Sequence, residues 1–207
     1  RVVVADNGST DRTTVIAEEL SGKYKTLSVS RLDQRGRGRA LKKAWSESDA
    51  DVRLYMDVDL STDINAIPKL VAAIADDGYE IAIGSRLAKG SEVVDRTLKR
   101  EITSRGYNIL IHLFFPLTKF KDAQCGFKAV SRKAAENLVP LAKDNAWFFD
   151  TELLLLAGKA GYDIKEIPVH WEDDPDTRVN IISTAWEDVK GLLRLRFKGH
   201  PVPPSAP

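Results

Sequence analysis

One cysteine, Cys125, stands alone among 207 residues, so no intrachain disulfide framework is available. The fold has to be held by a packed core, and this cysteine usage suits a reducing compartment. No apolar run reaches the roughly 18 residues that a membrane-spanning helix requires. No signal peptide is visible either. The three histidines, His112, His170 and His200, lie too far apart in the sequence to read as a metal cluster. They are expected to be structural or surface residues. Net charge is scarce as well: 31 Lys and Arg face 30 Asp and Glu, a balance of +1. That excludes the global basic field which draws nucleic acid.

What is present is 43% hydrophobic residues, enough for one α/β domain with a sizeable core. We expect a single domain over 1–198 and a flexible, proline-rich tail over 199–207. Basic charge is local, in residues 31–43 and 86–106, where it could meet phosphates or a lipid surface. The stretch Leu54-Tyr55-Met56-Asp57-Val58-Asp59-Leu60-Ser61-Thr62 organises the rest. If 52–58 form a strand, Asp57 and Asp59 project to one side at its carboxyl end. Two carboxylates so placed repel each other unless a cation lies between them, and oxygen ligands suit Mg²⁺ or Mn²⁺ with substrate phosphate and water. A lone D-x-D is more often two solvated loop aspartates than a metal site, so the rest of the chain must decide.

The β-branched run 1–5 reads as a buried parallel strand, with a helix over Thr13–Leu20 after the turn formers 6–11. Thr26–Arg31 is a second strand. The Gly36-Arg37-Gly38 loop then opens a helix over Arg39–Trp45, and its amides could approach an anion or a planar base. Further strands are expected at Asp51–Val58 and Glu80–Ile83, with a helix of period 3.6 over Asn65–Ala75 between them. Such alternation places ligands at the carboxyl ends of the strands, where Asp6, Asp57, Asp59 and Arg86 fall. Residues 97–120 turn from basic to strongly apolar, a pattern suited to a helix in a membrane interface or to a core or dimer face. Pro116 is expected to stop that helix. A short strand falls within Asp122–Ser131, followed by a helix over Ala134–Leu141. Asp150 is placed as the N-cap of an apolar helix, Leu153–Ala160. Tyr162–Trp171 reads as one strand, Glu172–Arg178 as an acidic loop, and 183–198 as an amphipathic helix.

Eight segments occur in order: VVVADNGSTDRT, RGRGRALKKAW, YMDVDLST, AIGSR, LKREITSRGYN, DAQCGFKAVSR, WFFDTELLLLA and EIPVHW. Together, over nearly all of 1–198, they resemble the family-2 glycosyltransferases of the polyprenyl (dolichyl) phosphate sugar transferase type. The resemblance implies an α/β GT-A fold, Rossmann-like, with a mixed, mostly parallel sheet flanked by helices. It implies inverting transfer of a hexose from a nucleotide-diphosphate sugar, UDP preferred over GDP, to polyprenyl or dolichyl phosphate, with Mg²⁺ or Mn²⁺. It places Asp57, Asp59 and Ser61 at the metal. Asp6, Gly36, Arg37, Asp57, Arg86 and Arg178 fall on the donor side, Arg178 standing where many relatives have lysine. Arg100, Asp122 and Gln124 fall on the acceptor side, and Asp59, Asp150, Glu152, Arg86 and Arg100 are the catalytic candidates. It also implies peripheral association with the cytoplasmic face of a membrane through residues 97–120.

The sequence departs from the family pattern at its start, where the usual first strand and Pro-x-Tyr-Asn-Glu type loop are not found. The expectation is therefore a sheet lacking a central member. A lipid phosphate is already anionic and needs no general base. A hydroxyl acceptor would require one, and Asp150 or Glu152 is then the candidate. Two other readings compete. A haloacid-dehalogenase-like phosphatase also carries a D-x-D, on its first strand, and a non-catalytic nucleotide-sugar or membrane-surface module would bind without turnover.

Overall fold

The computed structural model describes residues 1–95, 97–173 and 181–198. The chain opens with β1 (Val2–Asn7), α1 (Thr13–Lys23), β2 (Leu27–Leu32) and α2 (Arg37–Ser46). Then follow β3 (Val52–Met56), α3 (Ile67–Ala75), β4 (Ile81–Ser85), β5 (Glu92–Val94) and α4 (Leu98–Phe114). The second half holds β6 (Phe127–Ser131), α5 (Arg132–Leu138), α6 (Phe149–Ala160), β7 (Ile164–Pro168), β8 (His170–Glu172) and α7 (Ile181–Phe197).

Four strands form the central sheet in the order β3-β6-β4-β7. β6 runs antiparallel to both of its neighbours, and β4 and β7 are parallel. The pairs β1–β2 and β5–β8 are parallel and separate from it. The α/β arrangement is thus mixed and mostly parallel, as the sequence suggests, but divided into three sheets. α2 joins the β1–β2 pair to the rest, because it touches both of those strands as well as α5 and α6. One consequence positions the site. Since β3, β4 and β7 all point the same way, their carboxyl ends share an edge with the amino end of β6. Asp57, Arg86 and the loop 122–126 therefore meet there.

All of β4 is buried, as its unbroken apolar run requires. α6 is buried around its circumference from Phe149 to Ala157, the mark of a helix covered on every side. Leu153, Leu154 and Leu156 pack in one core with Ile81, Ile83, Val130, Leu138 and Leu192.

Two local expectations are corrected. The run 162–171 is two strands, because Pro168 offers no N–H to continue the ladder. β8 accordingly leaves the central sheet and pairs with β5, a strand too short to read from its sequence. α6 starts at Phe149 and its N-cap is Phe148, without a side-chain cap, so Asp150 lies inside the first turn and is buried. In α4 the aromatic pair Phe114 and Phe115 packs on the core, and the helix ends just before Pro116. The acidic loop beyond Asp173 and the tail 199–207 lie outside the described residues.

Candidate active site

β3 alternates, with Arg53 and Tyr55 buried and Val52, Leu54 and Met56 half-buried. The backbone N–H of Asp57 then donates to the Gly126 carbonyl at 3.1 Å, which carries the ladder one residue past the strand. Arg37, in the first turn of α2, donates from Nη2 to Asp57 Oδ1 and from Nη1 to Asp150 Oδ2, each at 2.6 Å. Asp150 is buried and also takes the Tyr55 hydroxyl and Lys128 Nζ, the latter at 3.0 Å. Lys128 is fully buried and donates in turn to Tyr55 Oη at 3.2 Å and to the Cys125 carbonyl. The result is a continuous charged network, Asp57–Arg37–Asp150–Lys128, on the carboxyl edge of the sheet. Gly126 is required beside it: a Cβ there would lie 1.8 Å from Asp57 Oδ2.

Asp59 does not follow the strand geometry expected of it. β3 ends at Met56, Leu60 adopts a positive φ of 56°, and Asp59 Oδ1 accepts the Ser61 N–H at 3.0 Å. Asp59 is exposed in this turn, whereas Ser61 is buried. The two aspartates remain electrostatically coupled. Burial raises the Asp57 carboxyl above its usual range; Arg37 opposes this, and the charges of Asp150 and Asp59 add to it. Burial would raise Asp150 too, but Arg37 and Lys128 outweigh it and hold that carboxyl low. Repulsion between Asp57 and Asp59 is what a divalent cation would relieve, and their donor atoms are hard oxygens. One or two carboxylates with phosphate and water suit Mg²⁺ or Mn²⁺, so these residues fit such an ion. Among the described residues no group of three or more His, Cys, Asp or Glu side chains is arranged to hold a metal.

A second cluster occupies the same edge. Asp122 is fully buried and accepts from the Arg86 backbone N–H at 2.9 Å and from Arg86 Nε and Nη2, each at 2.8 Å. Burial would raise its carboxyl, yet these contacts hold it low. The Arg86 guanidinium lies 4.8 Å from the centre of the Trp171 ring. Trp171 Nε1 donates to Asp173 Oδ1 at 2.8 Å, and Arg100 reaches the same oxygen at 3.2 Å. Gln124 Nε2 donates to Asp188 Oδ2 at 3.0 Å. Cys125, beside these groups, is buried with its thiol pushed up to about 12, which makes it an inert packed residue.

Asp188 is pushed up to about 7 by burial and by Asp144, with Asp150 and Glu187 adding and Gln124 opposing. An unfolded aspartate ionises near pH 3.9, so between about pH 4 and pH 7 the folded chain holds the extra proton. Stability contributed by this group therefore falls as pH rises through that window and levels off above it. Asp188→Asn mimics the protonated acid. It is expected to raise the melting temperature at pH 8 by about 5 °C and to change it little at pH 4.5. An equal gain at both pH values would assign the effect to packing instead.

Other candidates have local partners. Glu152 is buried, takes both terminal nitrogens of Arg194 at 2.9 Å, and accepts the Asp144 N–H at 2.7 Å. Asp6, on the separate β1–β2 pair, accepts from the Ser9 N–H at 3.0 Å and from Thr14 Oγ1 at 2.7 Å. Gly36 has φ of 140°, and a Cβ would lie 2.3 Å from the Asn145 carbonyl oxygen. The Gly38 and Arg39 amides donate to the Ala146 and Asn145 carbonyls, so two of the amides expected to face an anion are already bonded. Arg178 lies outside the described residues. Sequence reasoning missed Lys128, Tyr55, Asp173, Asp188 and Arg194. One signal was available: Lys128 is the sole charge in the strand FKAVS.

The model for glycosyl transferase family 2 matches residues 1–139. The chain belongs to that family. It is 41% identical over 192 residues to glycosyltransferase AglD of Haloferax volcanii, covering 92% of this chain and 30% of that protein. It is 27% identical to a Saccharomyces cerevisiae dolichyl-phosphate beta-glucosyltransferase, covering 95% of this chain and 64% of that one. The chain thus spans less than two thirds of the length of either relative. Among solved structures it resembles glucosyl-3-phosphoglycerate synthase from Mycobacterium tuberculosis in complex with Mn²⁺, UDP and glucosyl-3-phosphoglycerate. That match has a TM-score of 0.68 and 18% identity, covering 95% of this chain and 68% of that one. The family-2 chain thus has the GT-A fold. Its D-x-D follows β3 rather than a first strand, and the family match leaves the phosphatase alternative without support.

Proposed function

We propose that this family-2 chain moves a hexose from a nucleoside-diphosphate sugar, UDP in preference to GDP, to a polyprenyl phosphate, with inversion at C1. The observation that carries the choice of acceptor is the state of the two candidate bases. Asp150 is held low by Arg37 and Lys128, and Glu152 is held by both terminal nitrogens of Arg194. Both carboxylates are taken up by cations of the protein itself, which suits an acceptor that is already an anion and needs no base. The relatives named dolichyl-phosphate beta-glucosyltransferase support the same acceptor class.

In this reading Asp59 and Asp57, beside Ser61, would hold a divalent cation, which supplies Lewis acidity at the leaving diphosphate. Mn²⁺ is the candidate that the structural neighbour suggests, and Mg²⁺ is to be tested beside it. Arg37 fixes Asp57 against Asp150. Asp6, Gly36 and Arg178 are proposed for the nucleotide side. Arg86, locked by Asp122, holds the loop that carries Gln124, and Arg100 offers a partly exposed guanidinium to the acceptor phosphate. Catalysis then rests on alignment and on charge neutralisation rather than on proton abstraction.

The test is a donor screen with polyprenyl phosphate, Mn²⁺ or Mg²⁺ and each common UDP- or GDP-hexose, read by mass spectrometry. A lipid-phosphate hexose from one donor supports the reading. Nucleotide release without glycolipid would move the acceptor to a hydroxyl, and no turnover with any donor would favour a binding module.

Membrane contact, at a cytoplasmic face, is assigned to α4. No described helix is long and apolar enough to cross a membrane. Leu98, Ile102, Ile109 and Leu113 are all exposed, and in α4 their spacing of four or seven keeps them on one stripe, with exposed Leu117 just beyond the helix end. Replacing Ile109, Leu113 and Leu117 with Ser is expected to weaken partitioning onto anionic liposomes by well over tenfold, since ~0.8 kcal/mol per buried methylene makes two such groups about one decade. Unchanged sedimentation would remove α4 from the interface.

A further inference from the structure

Trp147 is the one aromatic of the run Trp147-Phe148-Phe149 that stays out of the core. Phe148 and Phe149 are buried, whereas Trp147 is 46% exposed. Its backbone is pinned, because the preceding carbonyls of Asn145 and Ala146 take the Arg39 and Gly38 amides at 3.1 and 3.2 Å. The Arg37 guanidinium carbon lies 5.0 Å from the centre of the Tyr55 ring and 5.3 Å from that of the Trp147 ring. Tyr55 is the buried neighbour of that cation and Trp147 the exposed one. The same guanidinium donates to Asp57, whose side chain keeps 32% of its surface open.

An exposed indole, an accessible carboxylate and a planar cation therefore adjoin at one point. A hexose ring has an apolar C–H face for the indole and a rim of hydroxyls for Asp57 and Arg37. An isoprenyl chain would cover the open part of the Asp57 carboxylate without offering it a hydrogen bond, which is unfavourable for a group that water now reaches. We propose that Trp147 is the platform on which the donor's hexose stacks, with Asp57 and Arg37 reading its hydroxyls. This rests on the nucleotide-sugar reading above.

The test compares wild type with Trp147→Ala, Trp147→Leu and Trp147→Phe by isothermal titration in Mn²⁺. The probes are UDP, GDP, UDP-glucose, UDP-galactose, UDP-N-acetylglucosamine and GDP-mannose, with a short-chain polyprenyl phosphate titrated separately. Trp147→Ala and Trp147→Leu are expected to weaken the preferred nucleotide sugar about tenfold while leaving the bare nucleotide within about twofold. Trp147→Phe should recover most of the loss, and Trp147→Leu keeps part of the apolar volume without an aromatic face should the alanine variant fold poorly. Equal weakening of sugar nucleotide and bare nucleotide would place the base on the indole, and weakening of the polyprenyl phosphate alone would place the lipid there. Either result, or unchanged binding throughout, overturns the proposal. Wild type binding none of the nucleotides would instead overturn the donor reading, and this inference with it.

Discussion

Asp59→Ala is expected to lower hexose transfer by about 10²–10³-fold, the usual effect of removing one preorganised electrostatic group from a site where charge develops. The fold should hardly notice. Asp59 is exposed, and its one described hydrogen bond is to the Ser61 N–H in its own turn. A melting temperature within about 2 °C of wild type is therefore expected. Asp57→Ala should behave differently, because it also frees Arg37 from one of its two carboxylates. Comparing the two variants separates a charge that acts on substrate from one that holds the site together. Rates are read by release of nucleotide and formation of glycolipid, with Mn²⁺ titrated in parallel. Near-normal turnover of Asp59→Ala at every cation concentration would remove Asp59 from the reaction.

Lys128→Met is expected to have the largest effect on stability, about 3–5 kcal/mol, the range for deleting one member of a buried ion pair. Lys128 is fully buried, and Asp150 nearly so. Removing the ammonium leaves Asp150 with Arg37 and the Tyr55 hydroxyl, and leaves the Cys125 carbonyl without its donor. The loss is checked by urea unfolding at pH 7. The double variant Lys128→Met with Asp150→Leu removes both buried charges and is expected to recover at least half of it, since an apolar pair of similar volume is often neutral. Activity should stay low in the double variant, because Arg37 has then lost one of its two carboxylate anchors. A Lys128→Met protein as stable as wild type would mean that Asp150 is satisfied without the lysine.

Much of the architecture could be read from short-range pattern. The unbroken apolar runs became β1 and β4, and the 3.6-residue spacing of Ile67, Leu70 and Ile74 became α3. β1 is not the buried strand expected, however, since Val2 and Val3 are exposed on a two-stranded sheet whose other member is β2. The D-x-D was placed correctly at a strand's carboxyl end, yet its geometry was not legible. Alternation predicted that Asp57 and Asp59 share a face, but β3 stops at Met56 and the Asp59 carboxylate closes a turn on the Ser61 N–H. A side chain competing for its own backbone is a local event that a period-two pattern does not contain. Pro168 likewise stood in plain view, and only the pairing of β8 with β5 shows where the chain goes after it.

By itself the sequence determined the family, through eight segments in order, and with it the strand–helix alternation that brings acidic residues to one edge of a sheet. Those signals are local, carried by residues two to four apart or by contiguous motifs. Tertiary structure alone decided which charges pair. Arg37 and Asp150 are 113 positions apart and Glu152 and Arg194 are 42 apart. No periodicity relates such residues, and only the packing of α2 and α7 against α6 brings each charge to its partner. Burial would raise both carboxyls, and the neighbours set the sign of each shift: Asp150, beside two cations, is held ionised, while Asp188, among other carboxylates, keeps its proton to about pH 7. That difference is a property of position in the fold, since the two side chains are chemically the same.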